Sequence, residues 1–185
     1  FLFGRTGRPL NSDEKGQNKK EILLARVPIG FVVGDKAGVR NISEKQLLDV
    51  LTRKITNWKE LGGVDQKIVL AGREPTEAAF TVLKGEYPEL AQLQFDQVLQ
   101  RDHQVVNFIE SPAGAYAVSF GFSANFEDKN LLGIKGFKTG SNCGLVYDAK
   151  NANLSVVKAA VDFARSDEWR KIANSGKYLP PSQEW

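Results

Sequence analysis

Residues 41–63, NISEKQLLDVLTRKITNWKELGG, decide how this chain is read. Leu47, Leu48 and Leu51 recur at helical spacing, Ser43 precedes them, and Gln46 stands three residues after that Ser. A Ser hydroxyl there can accept the N–H of the third helical residue, while Gln reaches back to the Ser N–H. This capping box predicts a helix opening at Ser43. The same logic recurs in miniature a few residues on. Asn57 can cap, Glu60 can reach back, and Gly62 can end the turn in a left-handed conformation. Trp58 lies inside that turn and is expected to pack it onto the body of the protein.

Working outward, strands and helices alternate. Residues 1–3 read as the end of a strand. RTGRPLNSDE (5–14) follows as a turn, and Asn11 or Ser12 caps a short helix to about residue 20. ILLARVPIGFVVG (22–34) reads as extended, with Pro28 placing a break or an edge inside it. Residues 67–71 are a strand, and 75–84 a helix with Pro75 in the favoured first turn. In AQLQFDQVL (91–99) Leu93, Phe95 and Val98 leave strand and helix in competition. Asp102 caps a helix through Ile109, 115–122 is a strand, and LLGIKGF (131–137) and CGLVYD (143–148) are further strands. Two helices close the chain, 155–164 and 166–174, the first with Val156, Val157, Ala160, Val161 and Ala164 on one face. Ser166 caps the second and Gly176 stops it. Alternating elements argue for a layered α/β or α+β fold, with the last helices covering a sheet.

Bulk properties bound the function. The 185 residues suffice for one large domain or two small lobes, and 42% hydrophobic with 25% charged is an ordinary globular balance. No apolar run reaches the roughly 18 residues a membrane span requires. The net charge of +3 is spread over the chain with one small basic cluster, NKK (18–20), which predicts no nucleic-acid partner. The chain opens on Phe1 and contains no Met, which predicts a processed protein or a fragment from which any export signal has gone. Cys143 is the single cysteine, set in an apolar strand-like run, and reads as a structural thiol. His103 is the single histidine and has neither a Cys cluster nor a second His at ligand spacing, so no metal is expected. No G-x-S-x-G elbow accompanies Asp102–His103, so that pair reads as a helix start followed by an exposed His, not as part of an enzyme. Tyr116, Phe120 and Phe122 read as core. No cofactor is expected.

LAGREPTEAAF (70–80) is the stretch that points to a ligand. A strand, a turn at Gly72–Arg73 and a helix N-terminus together form an anion cradle. Glu74 and Glu77 stand where the anion would sit. At about 4 Å, like charges repel by ~1 kcal/mol in water and several near a shielded surface. An Arg73–Glu77 pair would close the cradle.

NISEKQLLDVLTRKITNWKELGG, IVLAGREPTEAAF (68–80), SPAGAYAVSFG (111–121), DFARSDEWRKIANSGKYLP (162–180) and FGRTGRPLNSDE (3–14) together resemble, in order, the phosphate-binding-like, PstS-like group of type 2 periplasmic solute-binding proteins of ABC transporters. The resemblance implies an α/β fold of two lobes of mixed sheet flanked by helices. Residues 1–30 and 121–185 would form part of the first lobe and 31–120 the second. The first lobe would be incomplete, lacking the N-terminal segment, and would favour self-association.

The resemblance also implies a function: a small anion bound in a cleft between lobes and presented to a membrane permease from the periplasm or cell envelope. Arg73 matches the family's anion-binding Arg and Thr76 the Thr of its Ser-Gly-Thr run, whose Ser and Gly have no counterpart here. Gly7 stands where the family has an Asp that accepts a proton from phosphate, with Arg5 and Arg8 beside it. Those arginines could hold a carboxylate or sulfonate instead. The alternative is a sensory or protein-interaction module on the same scaffold, with its anion site decayed.

Overall fold

The computed structural model describes residues 2–7, 10–176 and 178–179. The chain divides into two compact units, residues 1–28 with 140–185, and residues 29–139. The elements are β1 (Phe3–Thr6), α1 (Ser12–Gly16), β2 (Lys19–Val33), β3 (Asn41–Ser43), α2 (Glu44–Leu51), β4 (Val69–Arg73), α3 (Ala78–Glu86), β5 (Gln97–Leu99), α4 (Asp102–Ile109), β6 (Ala117–Phe122), β7 (Gly133–Lys135), β8 (Gly140–Asp148), α5 (Ser155–Ala164) and α6 (Asp167–Ser175).

The discontinuous unit is built on antiparallel pairing of β8 with β1 and with Lys19–Pro28 of β2. The register shifts between Leu23 and Ala25, and the Leu24 carbonyl there accepts the Trp169 indole N–H of α6 at 3.0 Å. On α5 the buried side chains are Val157 and Ala164, and Ala160 and Val161 on the same stripe are half-buried. Val156 lies off that stripe and is exposed, because one residue further round a helix is a 100° rotation.

β2 runs unbroken through Pro28, contrary to the expected break. Pro28 is the last residue opposite β8, at Gly140, and Ile29 is the first opposite β6. A residue with no N–H to donate is tolerated where the strand changes partner. The first helix is also shorter than expected: Asn11 caps it with a complete capping box, and it ends at Gly16.

In the continuous unit β2 pairs antiparallel with β6, β6 parallel with β4, and β4 parallel with β5. Both faces of this mixed sheet are covered. Phe31, Val33, Leu70, Val118 and Phe120 pack with Leu47, Val50 and Leu51 of α2 and with Phe80 and Leu83 of α3. Val32, Ala71 and Ala117 pack with Val105 and Ile109 of α4. The alternation along each strand follows from the two-residue period of β structure. Phe120 stands in tilted contact with Phe31, Phe80 and Phe95 at 5.6–6.0 Å between ring centroids. Tyr116 and Phe122 pack at the edge of this core.

The two predicted capping boxes form. The Ser43 hydroxyl accepts from Gln46 N at 3.2 Å, and the Gln46 side chain accepts from Ser43 N at 2.8 Å. Asn57 and Glu60 do the same around the 3-10 turn Trp58–Leu61, which ends on Gly62 at φ 82°. Trp58 is fully buried and its indole N–H donates to the Tyr116 carbonyl at 2.8 Å. In the competing stretch the 3-10 helix Pro88–Gln92 ends at its start and β5 forms at its end, while Leu93 and Phe95 lie in neither element.

Two polar ties hold the periphery of this unit. Tyr87 Oη donates to Glu44 Oε1 at 2.6 Å, and burial with the Glu44 carboxylate pushes the phenol up to about 12, so it stays a donor. Asp96 Oδ2 accepts from Leu70 N at 2.8 Å and pairs with Arg53 at 3.0 Å. Partial burial pushes the Asp96 carboxyl up, but Arg53 and the Leu70 N–H together pull it below the ordinary carboxylate range.

Trp58→Ala is expected to destabilise the protein by about 3–5 kcal/mol in urea unfolding, the range for emptying a large core site. Trp58→Phe is expected to lose less, since it retains most of the apolar volume. A depressed carboxylate stabilises the fold fully above its unfolded pKa and loses that contribution as pH falls. Wild-type stability should therefore drop from about pH 4 downward. Asp96→Asn should be less stable at neutral pH and show a shallower acid limb in pH-dependent thermal melts.

Candidate functional site

The stretch 70–80 folds differently from its expected cradle. Gly72 and Arg73 are not in a turn; both are strand residues at the end of β4. Gly72 is required by close approach, because an added Cβ would fall 2.1 Å from the Phe95 ring. The turn comes later, at Pro75–Thr76, closed by Glu77 N donating to Glu74 O at 3.0 Å and by Lys84 Nζ donating to Pro75 O at 2.6 Å. The helix begins at Ala78, so Pro75 lies outside it and Glu77 is its N-cap. Glu77 Oε2 accepts from Phe80 N at 2.9 Å. The chain prefers this start because an acidic side chain satisfies both the free N–H and the partial positive charge of the helix end.

Arg73 is the centre of the arrangement. Only 4% of its side chain is exposed, which is rare for a charged group without partners. Nη1 forms an ion pair with Asp102 Oδ1, and Nη2 donates to the Gln100 carbonyl at 3.3 Å. Glu77 Oε1 stands 3.8 Å from Nη2, close enough for an ion pair but too far for a hydrogen bond. Nε is buried and makes no hydrogen bond. Asp102 in turn accepts from Asn125 Nδ2 at 2.6 Å.

The ion pair crosses the structure from β4 to the first turn of α4, and Asn125 adds the turn after β6. Asp102 is therefore not the helix cap read from the sequence. It is the first residue of α4, preceded by Arg101, and its work is to neutralise Arg73. Gln104 reaches back to the N–H groups of Gln100 and Arg101 at 2.9 and 3.1 Å and shapes that helix start.

Of the other expected ligand residues, Thr76 is exposed on the turn next to Arg73, and Glu74 is exposed beside it. Arg5 and Gly7 belong to the discontinuous unit. Arg5 is exposed on β1 and borders a cavity of about 180 Å³ with Cys143, Trp169 and Tyr178. Burial pushes the Cys143 thiol up, with Arg5 partly offsetting it, so the thiol is a weak nucleophile at neutral pH. The Gly7 carbonyl accepts from the Ser141 hydroxyl, and an added Cβ at Gly7 would meet nothing within 4 Å. Arg8 lies outside the described residues. His103 is exposed. Among the described residues, no group of three or more His, Cys, Asp or Glu could hold a metal ion.

Two carboxylates against one guanidinium leave this corner with a net negative charge. Chemically, the buried guanidinium is neutralised by the protein's own carboxylates. Asp102→Ala is expected to cost about 2–4 kcal/mol, because it strands a buried charge. Glu77→Ala is expected to cost about 1 kcal/mol, the loss of a helix cap. Chemical denaturation of the two variants checks the order; equal losses would contradict the leading role of Asp102.

The chain matches the PBP superfamily domain over residues 3–175. It is 50% identical over 188 residues to the phosphate-binding protein PstS of Bacillus subtilis, covering 91% of this chain and 61% of that protein's length. The fold is similar to an ABC-type phosphate transport receptor from Vibrio cholerae, at TM-score 0.65 and 19% identity over 97% of this chain and 80% of the other. It is also similar to PstS from Borrelia burgdorferi, at TM-score 0.62 and 21% identity over 97% and 79%. The two structural likenesses establish the α/β architecture of mixed sheet flanked by helices. With the family match covering nearly the whole chain, this protein belongs to the PBP superfamily.

Proposed function

We propose that the chain is the solute-binding component of an ABC-type uptake system and that its solute is a small anion, phosphate ahead of other oxyanions and carboxylates. The observation that carries this is the 50% identity to a protein named for phosphate binding. Its partner is then a membrane permease, and its compartment the periplasm or cell envelope. Among the described residues no helix is long and apolar enough to cross a membrane. The reading makes the protein a binder and not an enzyme. Among the described residues, the contacts of the Arg73 guanidinium are to carboxylates and a carbonyl. Arg73 and Thr76 are the proposed anion contacts of the continuous unit.

A second reading has one specific observation in its favour. Arg73 is buried and already engaged by Asp102, Gln100 and Glu77, as in a scaffold whose anion site has been given up. The protein would then be a sensory or protein-interaction module.

Titration calorimetry with phosphate, sulfate and small carboxylates separates the two. The binding reading expects heat from phosphate and an affinity weakened about tenfold or more in Arg73→Lys. That variant keeps the charge but loses the planar fork, and a charge-assisted contact is worth about 1.5–3 kcal/mol. No heat from any of these solutes would sink the first reading and leave the second.

A further inference from the structure

We propose that the Glu77 carboxylate is a built-in occupant of a two-oxygen anion site, and that an outside oxyanion binds there only by displacing it. The inference deepens the solute-binding reading and rests on it for its biological use, but the site itself is tested separately.

Two contacts define the site. Glu77 Oε2 takes the free Phe80 N–H at the start of α3, a helix of nine residues, at 2.9 Å. Glu77 Oε1 faces Arg73 Nη2 at 3.8 Å. One carboxylate thus bridges a helix N-terminus and a guanidinium, the two groups from which oxyanion sites are built. A second observation points to a ligand independently of the helix end. Arg73 is buried to all but 4%, yet its Nε has no hydrogen-bond partner and its contact to Glu77 is beyond hydrogen-bond range. A tethered carboxylate that must also cap α3 cannot close on the guanidinium, whereas a free anion carries no such restraint.

The chemistry of the ligand follows from the bridge. Reproducing both contacts requires two oxygens on one centre, as in a carboxylate or a phosphate; a halide has one contact point. Asp102 stays paired with Nη1 in either case. The displaced Glu77 carboxylate stays tethered nearby, so a monoanion adds one negative charge to the corner and a dianion adds two, beside Asp102 and the exposed Glu74. The site therefore selects monoanionic carboxylates and singly charged phosphate over sulfate.

The test is rescue of the missing carboxylate. Glu77→Ala should melt below wild type, and sodium formate should raise its Tm in a dose-dependent way by about 3 °C or more at saturation. Sodium chloride at the same ionic strength should not, and sulfate should rescue less than formate. Equal rescue by chloride, or none by formate, overturns the proposal. Should Glu77→Ala fail to fold, Glu77→Gln serves, since it keeps an acceptor for Phe80 N without the charge. Its phosphate affinity by calorimetry should exceed wild type about tenfold, and an unchanged or weaker affinity overturns the proposal. Wild type that binds phosphate while the variants show no gain defeats this inference and leaves the solute-binding reading intact. Rescue of the variant with a wild type that takes no solute does the reverse.

Discussion

A guanidinium buried at the end of a central strand must be neutralised, and much of the continuous unit is arranged around that demand. Arg73 sits at the last position of β4, between β6 and β5, with almost no access to water. An isolated charge in that setting would cost several kcal/mol. The answer comes mostly from residues distant in sequence. Asp102 opens α4, Asn125 holds Asp102 from the turn after β6, and Gln100 offers its carbonyl from the end of β5. Glu77 adds a fourth, nearer contribution from the start of α3.

The same demand shapes the local chain. With Arg73 extended in the strand, the turn is pushed on to Pro75–Thr76 and the helix start on to Ala78. Glu77 then serves two masters, the helix end and the guanidinium, and satisfies the second only at 3.8 Å. A site built to receive an anion and a site that has filled itself use the same groups. They differ in whether one side chain stays or leaves. That is a matter of competition between a tethered and a free carboxylate, which depends on solute concentration as much as on structure.

What could be read directly from the residues was whatever is enforced within a few positions. The Ser43–Gln46 and Asn57–Glu60 capping boxes, the left-handed Gly62 and the burial of Trp58 follow from local hydrogen-bonding geometry and periodicity, and the structure contains each. The family order of its segments pointed to the PBP superfamily, and the match over residues 3–175 agrees. Reading failed where local preference was overruled. Pro75 is a good first-turn residue, yet Glu77 offers the helix end an acidic cap and the helix starts after it. Pro28 reads as a break or an edge, yet the strand runs through it, since a strand that changes partner there needs no N–H from it. Asp102 looked like a helix cap because nothing nearby in sequence reveals a charge 29 residues away.

By itself the sequence determined most of the elements, their alternation and the apolar stripes that cover both faces of the sheet. These rest on periods of 2 and 3.6 residues and on contacts three or four positions apart, which any stretch of chain carries with it. Only the tertiary structure decided the state of Arg73. A charge takes its partners from whatever the fold brings within a few ångströms. Here the parallel pairing of β4 with β5 and β6 carries α4 and its Asp102 to the strand's end. From the sequence, an anion was expected at Arg73. The fold showed that the protein's own carboxylates reach it first.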